Sequence, residues 1–468
     1  MKVKRLLATV LILIMMMNQL AACSLNPAKS DSPSGETSDE ISEETTKEID
    51  SDDLSTNELS ISKETIKFVR GVTDAKSTFN GKTLIFNAAE TWGHPYNNRM
   101  ILYPWLKEQY GLKVVAKPSV YLRDTLQNVQ ETKARMQIDL IGVSHNNMPS
   151  VYSTMRPLNS KINLDYAPKG LDQSTMNATR KGNDIMYLPQ LGSEGIAYNV
   201  EKFKKAGLEE PYDLQLKGQW TWDKFAEYAK FFTEDNNKNG KPEKWGFGSW
   251  DRTFHEFALT NNANYYTYNT DGTVTSKIST RAVTKSMEFV KELYSKKAIY
   301  LFGGLGNYPE FYNDESIAMI KMDIPHNPKD LVYGMVAMPK GPDKGSENIV
   351  TTLGTGYGLP TDMVEESNEK AALLFLAVML DFNRENNMKR MKEAYDLNPR
   401  WEEMYETVYG GKTPTKMLVL YGVENSETKI SSINSAIKDD SKSVMKTVQE
   451  LEGKSNKKPE VTKLPETR

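Results

Sequence analysis

The stretch TEDNNKNGKPEKWGF, Thr233 to Phe247, has the spacing of an oxygen-donor loop. Asp235, Asn237 and Asn239 alternate as donors, and Gly240 follows where a calcium loop turns sharply. Lys241 would add its backbone carbonyl at the seventh position, and Glu243 stands at the ninth. The twelfth position is Gly246, where a bidentate Glu belongs, and only one of the first three donors is a carboxylate. Two readings stay open, a bound Ca2+ and a plain turn. The four histidines, His94, His145, His255 and His326, are the other metal-capable side chains, and all fall in or near presumed loops. None has i,i+4 spacing, so metal scavenging is the lesser reading.

Hydrolytic chemistry has little support. A glycosidase needs two carboxylates across the scissile bond, and Asp251 and Glu256 are one conceivable pair. There is no HExxH, no nucleophile elbow and no P-loop. GTGYG (Gly354 to Gly358) lacks the GxGxxG spacing of a dinucleotide loop. No enzyme activity is expected, and a lyase or hydrolase acting on polysaccharide is the alternative. No cofactor is required.

The elements that must position these residues begin after a long address. Lys2, Lys4 and Arg5 precede an apolar run from Leu6 to Met17, too short to span a bilayer. Leu20-Ala21-Ala22-Cys23 follows, which resembles the lipobox of bacterial lipoproteins. That resemblance implies a signal peptide over 1–22 and a diacylglyceryl anchor on Cys23, the chain's single cysteine. Disulfides are thereby excluded within one chain. Residues 23–67 are rich in Ser, Thr, Asp and Glu without an aromatic side chain, and read as a solvated tether. The expected location is the outer face of the cell membrane, Gram-positive in type.

Roughly 400 residues remain, more than one hydrophobic core accommodates, so two lobes are expected. Net charge is −3 with no basic stripe, which argues against nucleic acid. Lys82 to Ala89, LKVVAKP and Ile138 to Val143 read as strands. Met100 to Tyr110, stopped by Gly111, and Leu122 to Met136 read as helices. This alternation predicts parallel pairing, with ligands at the carboxyl ends of the strands. The loops ETWGHPY and SHNNMP follow two of those ends. Further on, Thr221 can N-cap a helix whose Trp222, Phe225, Ala226, Ala229 and Phe232 share one face. Trp222 is expected in the core.

Four stretches in order, NDIMYLPQLGSEGIAYNVEKFKKAGLEEP, WTWDKFAEYAKFFTEDNNKNGKPEKWGFGSW, FYNDESIAMIKMDIP and TTLGTGYGLPTD, resemble the extracellular solute-binding proteins that serve carbohydrate ABC transporters. The resemblance implies an α/β, two-lobe, periplasmic-binding-protein-like fold with an interlobe cleft and crossing hinge strands. It places one lobe over 68–190 and 351–380, the other over 195–340 and 381–452, and a polar tail over 453–468. Crossings are expected near Leu191 to Asn199 and Pro339 to Thr352. It also marks the Asp/Asn/Gly turn as a family landmark, which carries calcium in some alginate-binding relatives.

A sugar presents C–H faces to aromatic rings and a rim of hydroxyls to polar groups. The expected ligand-binding residues are Trp92, His94, Tyr96, His145, Asn146 and Asn147 from the first lobe, and Trp250, Asp251, Arg252, Asp323 and His326 from the second. Thr355 and Tyr357 of GTGYG complete the set. The stacking aromatic that family members often place after IAMIKM is replaced here by DIP. The resemblance implies a monomer that captures a saccharide by lobe closure, delivers it to ABC permease subunits and stays at the membrane through its lipid anchor.

Overall fold

A computed structural model of the chain describes residues 63–72, 79–88, 101–118, 139–143, 152, 154–168, 171, 176, 179–189, 194–250, 253–268, 273–302, 316–322, 331–352, 356–363, 365–417, 426–453 and 461–463. The expected signal peptide, most of the tether and the expected helix over 122–136 lie outside them.

In the first lobe Thr83–Ala88 pairs in parallel with Lys113–Pro118, Thr83 opposite Lys113. The helix between them, Tyr103–Tyr110, ends at Gly111, which has φ 67° and donates its amide to the Lys107 carbonyl at 2.9 Å. Its added Cβ would also stand 2.7 Å from the Asn80 backbone, so glycine suits this stop twice over. The third strand, Ile141–Val143, departs from the all-parallel expectation. It pairs antiparallel with Gly356–Pro360, a strand from far along the chain. That returning strand also pairs with Leu188–Pro189 and Met155–Arg156. Phe68, Leu84, Leu106, Ile185, Leu359 and Phe375 are buried in the core beneath.

The second lobe is built on five strands in the order Ile299–Phe302, Trp245–Trp250, Ile317–Met322, Gly195–Asn199, Tyr333–Val336. The first three run parallel, and Gly195–Asn199 is antiparallel to both its neighbours. Helix Trp222–Phe231 starts as its sequence predicts, with Thr221 Oγ accepting from the Lys224 amide at 3.3 Å. It packs so closely on the sheet that a Cβ at Gly246 would lie 1.8 Å from the Ala229 carbonyl oxygen. Trp222 is buried, stacked on Phe289 at 4.5 Å between centroids, with Nε1 donating to Thr260 Oγ1 at 2.9 Å. Phe225 meets Phe247 edge-on at 4.8 Å. Each such fully buried ring contributes about 1.5–3 kcal/mol of transfer free energy.

Among the described residues the chain passes between the two cores three times. Leu188 belongs to the first and Ile196 to the second; Val350 to the second and Tyr357 to the first. Helix Glu366–Tyr395 makes the third passage, with Phe382 in the first core and Met391 in the second.

Candidate functional site

Two of the passages meet. Glu194 and Thr351 form an antiparallel backbone pair, the Glu194 amide donating to the Thr351 carbonyl at 2.7 Å and the reverse bond measuring 3.1 Å. A further strand, Thr415–Met417, lies parallel to Val350–Thr352 with Thr351 opposite Lys416. Lys416 Nζ donates to the Leu259 carbonyl at 3.2 Å, and burial lowers its pKa. The Gly195 amide donates to the Tyr409 hydroxyl oxygen at 3.2 Å.

The crossing pair abuts the carboxyl edge of the second sheet. Gly195 is the register partner of Met322, the last residue of the central strand. Helix Thr253–Thr260 begins soon after Trp250 ends the neighbouring parallel strand. The carboxyl ends of parallel strands are where α/β sheets bind ligands, because the diverging loops leave a crevice there.

Into this edge the structure builds a buried charge cluster. Lys321 interrupts the apolar Ile317–Met322 strand, and its side chain is 0% exposed. Its Nζ lies 2.5 Å from Glu194 Oε2, 2.9 Å from Glu256 Oε1 and 3.0 Å from Thr351 Oγ1. Burial alone would push the Lys321 ammonium down, but Glu194 and Glu256 outweigh it and hold its pKa above the ordinary lysine value. Burial pushes the Glu256 carboxyl up, opposed by Lys321 and reinforced by Glu194. Glu256 Oε2 also accepts from Thr253 Oγ1 at 3.2 Å. Glu256 is thus committed to an ion pair in the fold.

Of the expected ligand-binding residues, Trp250 and Tyr357 are described. Trp250 ends its strand half-buried against the second core. Tyr357 is buried in the first core, and burial raises the pKa of its hydroxyl. Trp92, His94, Tyr96, His145, Asn146, Asn147, Asp251, Arg252, Asp323, His326 and Thr355 lie outside the described residues, as does Cys23. His255 departs from the loop placement expected for it. It is a buried residue of helix Thr253–Thr260, 4.1 Å between centroids from both Phe254 and Tyr265. Sequence reasoning missed Glu194, Lys321 and Thr351. The one signal was a lone lysine inside IAMIKM, because a charge in an otherwise apolar strand needs a buried partner.

The Asp235–Glu243 loop satisfies itself. Asp235 accepts from the Asn239 and Gly240 amides at 3.1 and 2.9 Å, and Asn237 from the Asn239 amide at 2.9 Å. Asn239 accepts from the Lys241 amide at 2.7 Å and Glu243 from the Asn236 amide at 2.8 Å, with Asn237 Nδ2 donating to the other Glu243 oxygen. Gly246, at the twelfth position, lies in a strand too close to Ala229 for any side chain. The twelfth position thus offers no side-chain oxygen for the bidentate ligand of an EF-hand. Among the described residues no group of three or more acidic, His or Cys side chains is placed to hold a metal ion, and no helix is long and apolar enough to cross a membrane.

The family model of the bacterial extracellular solute-binding protein matches residues 99–381. A search of curated protein sequences finds no match. Among solved structures, the ABC substrate-binding protein Lmo0181 of Listeria monocytogenes, in complex with cycloalternan, is similar at 15% identity and TM-score 0.54, covering 80% of this chain and 97% of that one. Maltose-bound MalE3 of T. maritima is 14% identical with TM-score 0.53, covering 80% and 99%. UgpB of Mycobacterium tuberculosis, in complex with glycerophosphocholine, is 13% identical with TM-score 0.54, covering 80% and 97%. At these identities the likeness is one of fold: two α/β lobes. With the family model matching more than half of the sequence, the chain belongs to the bacterial extracellular solute-binding proteins.

Proposed function

We propose that this protein captures a saccharide between its lobes and passes it to the permease subunits of an ABC importer. The observation that carries this is the position of Trp92, His94 and Tyr96 in the sequence, directly after the parallel Thr83–Ala88 strand of a solute-binding fold. Aromatic faces there would stack on the sugar's C–H surface, and the His and Asn side chains of both first-lobe loops would pair with its hydroxyls. Closure then brings the second lobe's Trp250, Asp251, Arg252, Asp323 and His326 over the ligand. Tyr357 lies in the returning strand, and Thr355 precedes it by two positions in the sequence. Cys23 carries the lipid anchor that holds the protein, a monomer, at the outer face of the membrane. The proposed lobes are 68–190 with 351–380 and 195–340 with 381–452, save that Phe382 packs in the first core. Binding proceeds without turnover of the sugar.

A thermal-shift screen against a glycan panel, with glycerophosphocholine as a non-saccharide arm, tests the reading. Stoichiometric stabilisation by a glycan that is recovered unchanged is the expected result. Turnover of a reporter glycan points instead to an enzyme, and stabilisation that chelator abolishes points to metal capture. With the best glycan, Trp92→Ala should weaken binding by about 2–4 kcal/mol, roughly 30- to 1000-fold in calorimetry, while the melting temperature changes little. Wild-type affinity in that variant would place the ligand elsewhere. Release of Cys23→Ala from the membrane fraction tests the anchor. Calcium belongs to the same melts. Stabilisation by calcium that Asp235→Ala removes marks an ion site, and equal melting in calcium and chelator marks a turn.

A further inference from the structure

Lys321 differs from every other described lysine in being completely buried with two carboxylates. An ammonium has three N–H donors, and here each has one acceptor: Glu194 Oε2, Glu256 Oε1 and Thr351 Oγ1. The acceptors come from three separate places. Glu194 and Thr351 stand on two of the three passages between the lobes, and Glu256 on a second-lobe helix. Lys321 itself is on the central strand of the second sheet. Among the described residues no side chain of the first core joins the cluster.

We propose that Lys321 is the positioning residue of the interlobe crossing. It clamps the Glu194/Thr351 pair to the second lobe, so that closure moves the first lobe against one rigid unit made of the second lobe and both crossing segments. The physical reason is the absence of competing water. Lifting either crossing segment off the sheet would separate an ammonium from its acceptors in a buried setting, where unpaired charge is most costly. The backbone pair alone has two amide hydrogen bonds and would open far more readily. The inference rests on the two-lobe fold and on the lobe closure proposed above, and on no assumption about the ligand's identity.

Amide hydrogen exchange on the ligand-free, full-length protein tests it. The reporters are the amides of residue 194 and Thr351, which bond each other's carbonyls. In Glu194→Gln, which keeps the Lys321–Glu256 pair, these two amides should exchange at least about tenfold faster, as expected for local opening. Amides of Ala197 and Ile320 in the adjoining strands should stay within about twofold of wild type. Lys321→Met should accelerate the two crossing amides by more than it accelerates those of Ala197 and Ile320, which rise only with the fall in global stability. If it does not fold, Glu194→Gln decides alone. Unchanged exchange at the crossing overturns the proposal. So does equal acceleration across the whole sheet, which is the signature of an ordinary contribution to stability.

Discussion

The Asp235–Glu243 turn and the Lys321 cluster draw on the same kinds of residue, carboxylates with lysine and small polar partners, yet they belong to opposite regimes. In the turn every acceptor meets a neighbour within a few positions, and the groups stand in water. Removing one partner there leaves the other hydrated, so little is lost. In the cluster the partners come from positions 194, 256, 321 and 351 and are largely or wholly removed from water. Removing one there strands a charge without a solvent shell. Density of charged residues in a sequence therefore says little about their energetic weight; burial decides it.

The largest expected effect sharpens that contrast. Lys321→Met should lower the unfolding free energy by about 3–5 kcal/mol in urea titration at neutral pH, because Glu194 and Glu256 lose their shared cation. A loss below about 1 kcal/mol would mean that water reaches the cluster and that the two regions are alike. The pH dependence has a definite sign. The native pKa of Glu256 is raised, so its ionisation opposes folding. That penalty is absent below its unfolded value, near ~4.3, and grows as pH rises towards the native one. Without Lys321 the Glu256 carboxyl loses the group that opposes its rise. The deficit of Lys321→Met should therefore be smallest near about pH 5 and larger above about pH 7. A flat deficit across that range would remove Glu256 from the explanation.

Trp222→Ala should cost a similar amount, about 3–5 kcal/mol, by an apolar route. It deletes a ring stacked on Phe289 and leaves the Thr260 hydroxyl without its indole donor. This loss should show no such pH dependence between about pH 5 and 8, since no ionisable partner is stranded. Ligand affinity should change far less than stability if Trp222 is core and Trp92 is site; the reverse outcome exchanges their roles.

A smaller effect is expected where a polar contact is local but ordered. Thr221→Ala removes the acceptor for the Lys224 amide at the start of the Trp222–Phe231 helix. About 1 kcal/mol of stability should be lost, visible in chemical denaturation as a lower midpoint at unchanged slope. A change in slope would show that the unfolded state is altered as well.

The smallest change belongs to the exposed turn. Asp235→Ala should cost less than about 1 kcal/mol in metal-free buffer, because its backbone partners become hydrated. A loss comparable with that of Lys321→Met would show that the turn organises more than itself. The same variant in calcium separates an ion site from a self-completed turn.

Local rules read from the sequence were sufficient for several elements. Thr221, the spacing of Trp222, Phe225, Ala226 and Ala229, and Gly111 after an apolar helical run specify where helices begin, which face they bury and where they stop. Each depends on neighbours within one or two turns. The parallel Thr83–Ala88 and Lys113–Pro118 pair was legible for the same reason, from the helix between them. The order of the longer motifs carried the two-lobe solute-binding fold. Tertiary structure alone decided what depends on distant partners. Ile141–Val143 takes its antiparallel neighbour from residues 356–358, and His255 is buried with Tyr265 instead of facing a loop. Lys321 meets Glu194 across 127 positions, and Glu194 meets Thr351 across 157. No periodicity or spacing encodes such meetings. Apolar burial assembles the sheet and brings the crossing segments together at its edge, and only then does a lysine in an apolar strand acquire its carboxylates.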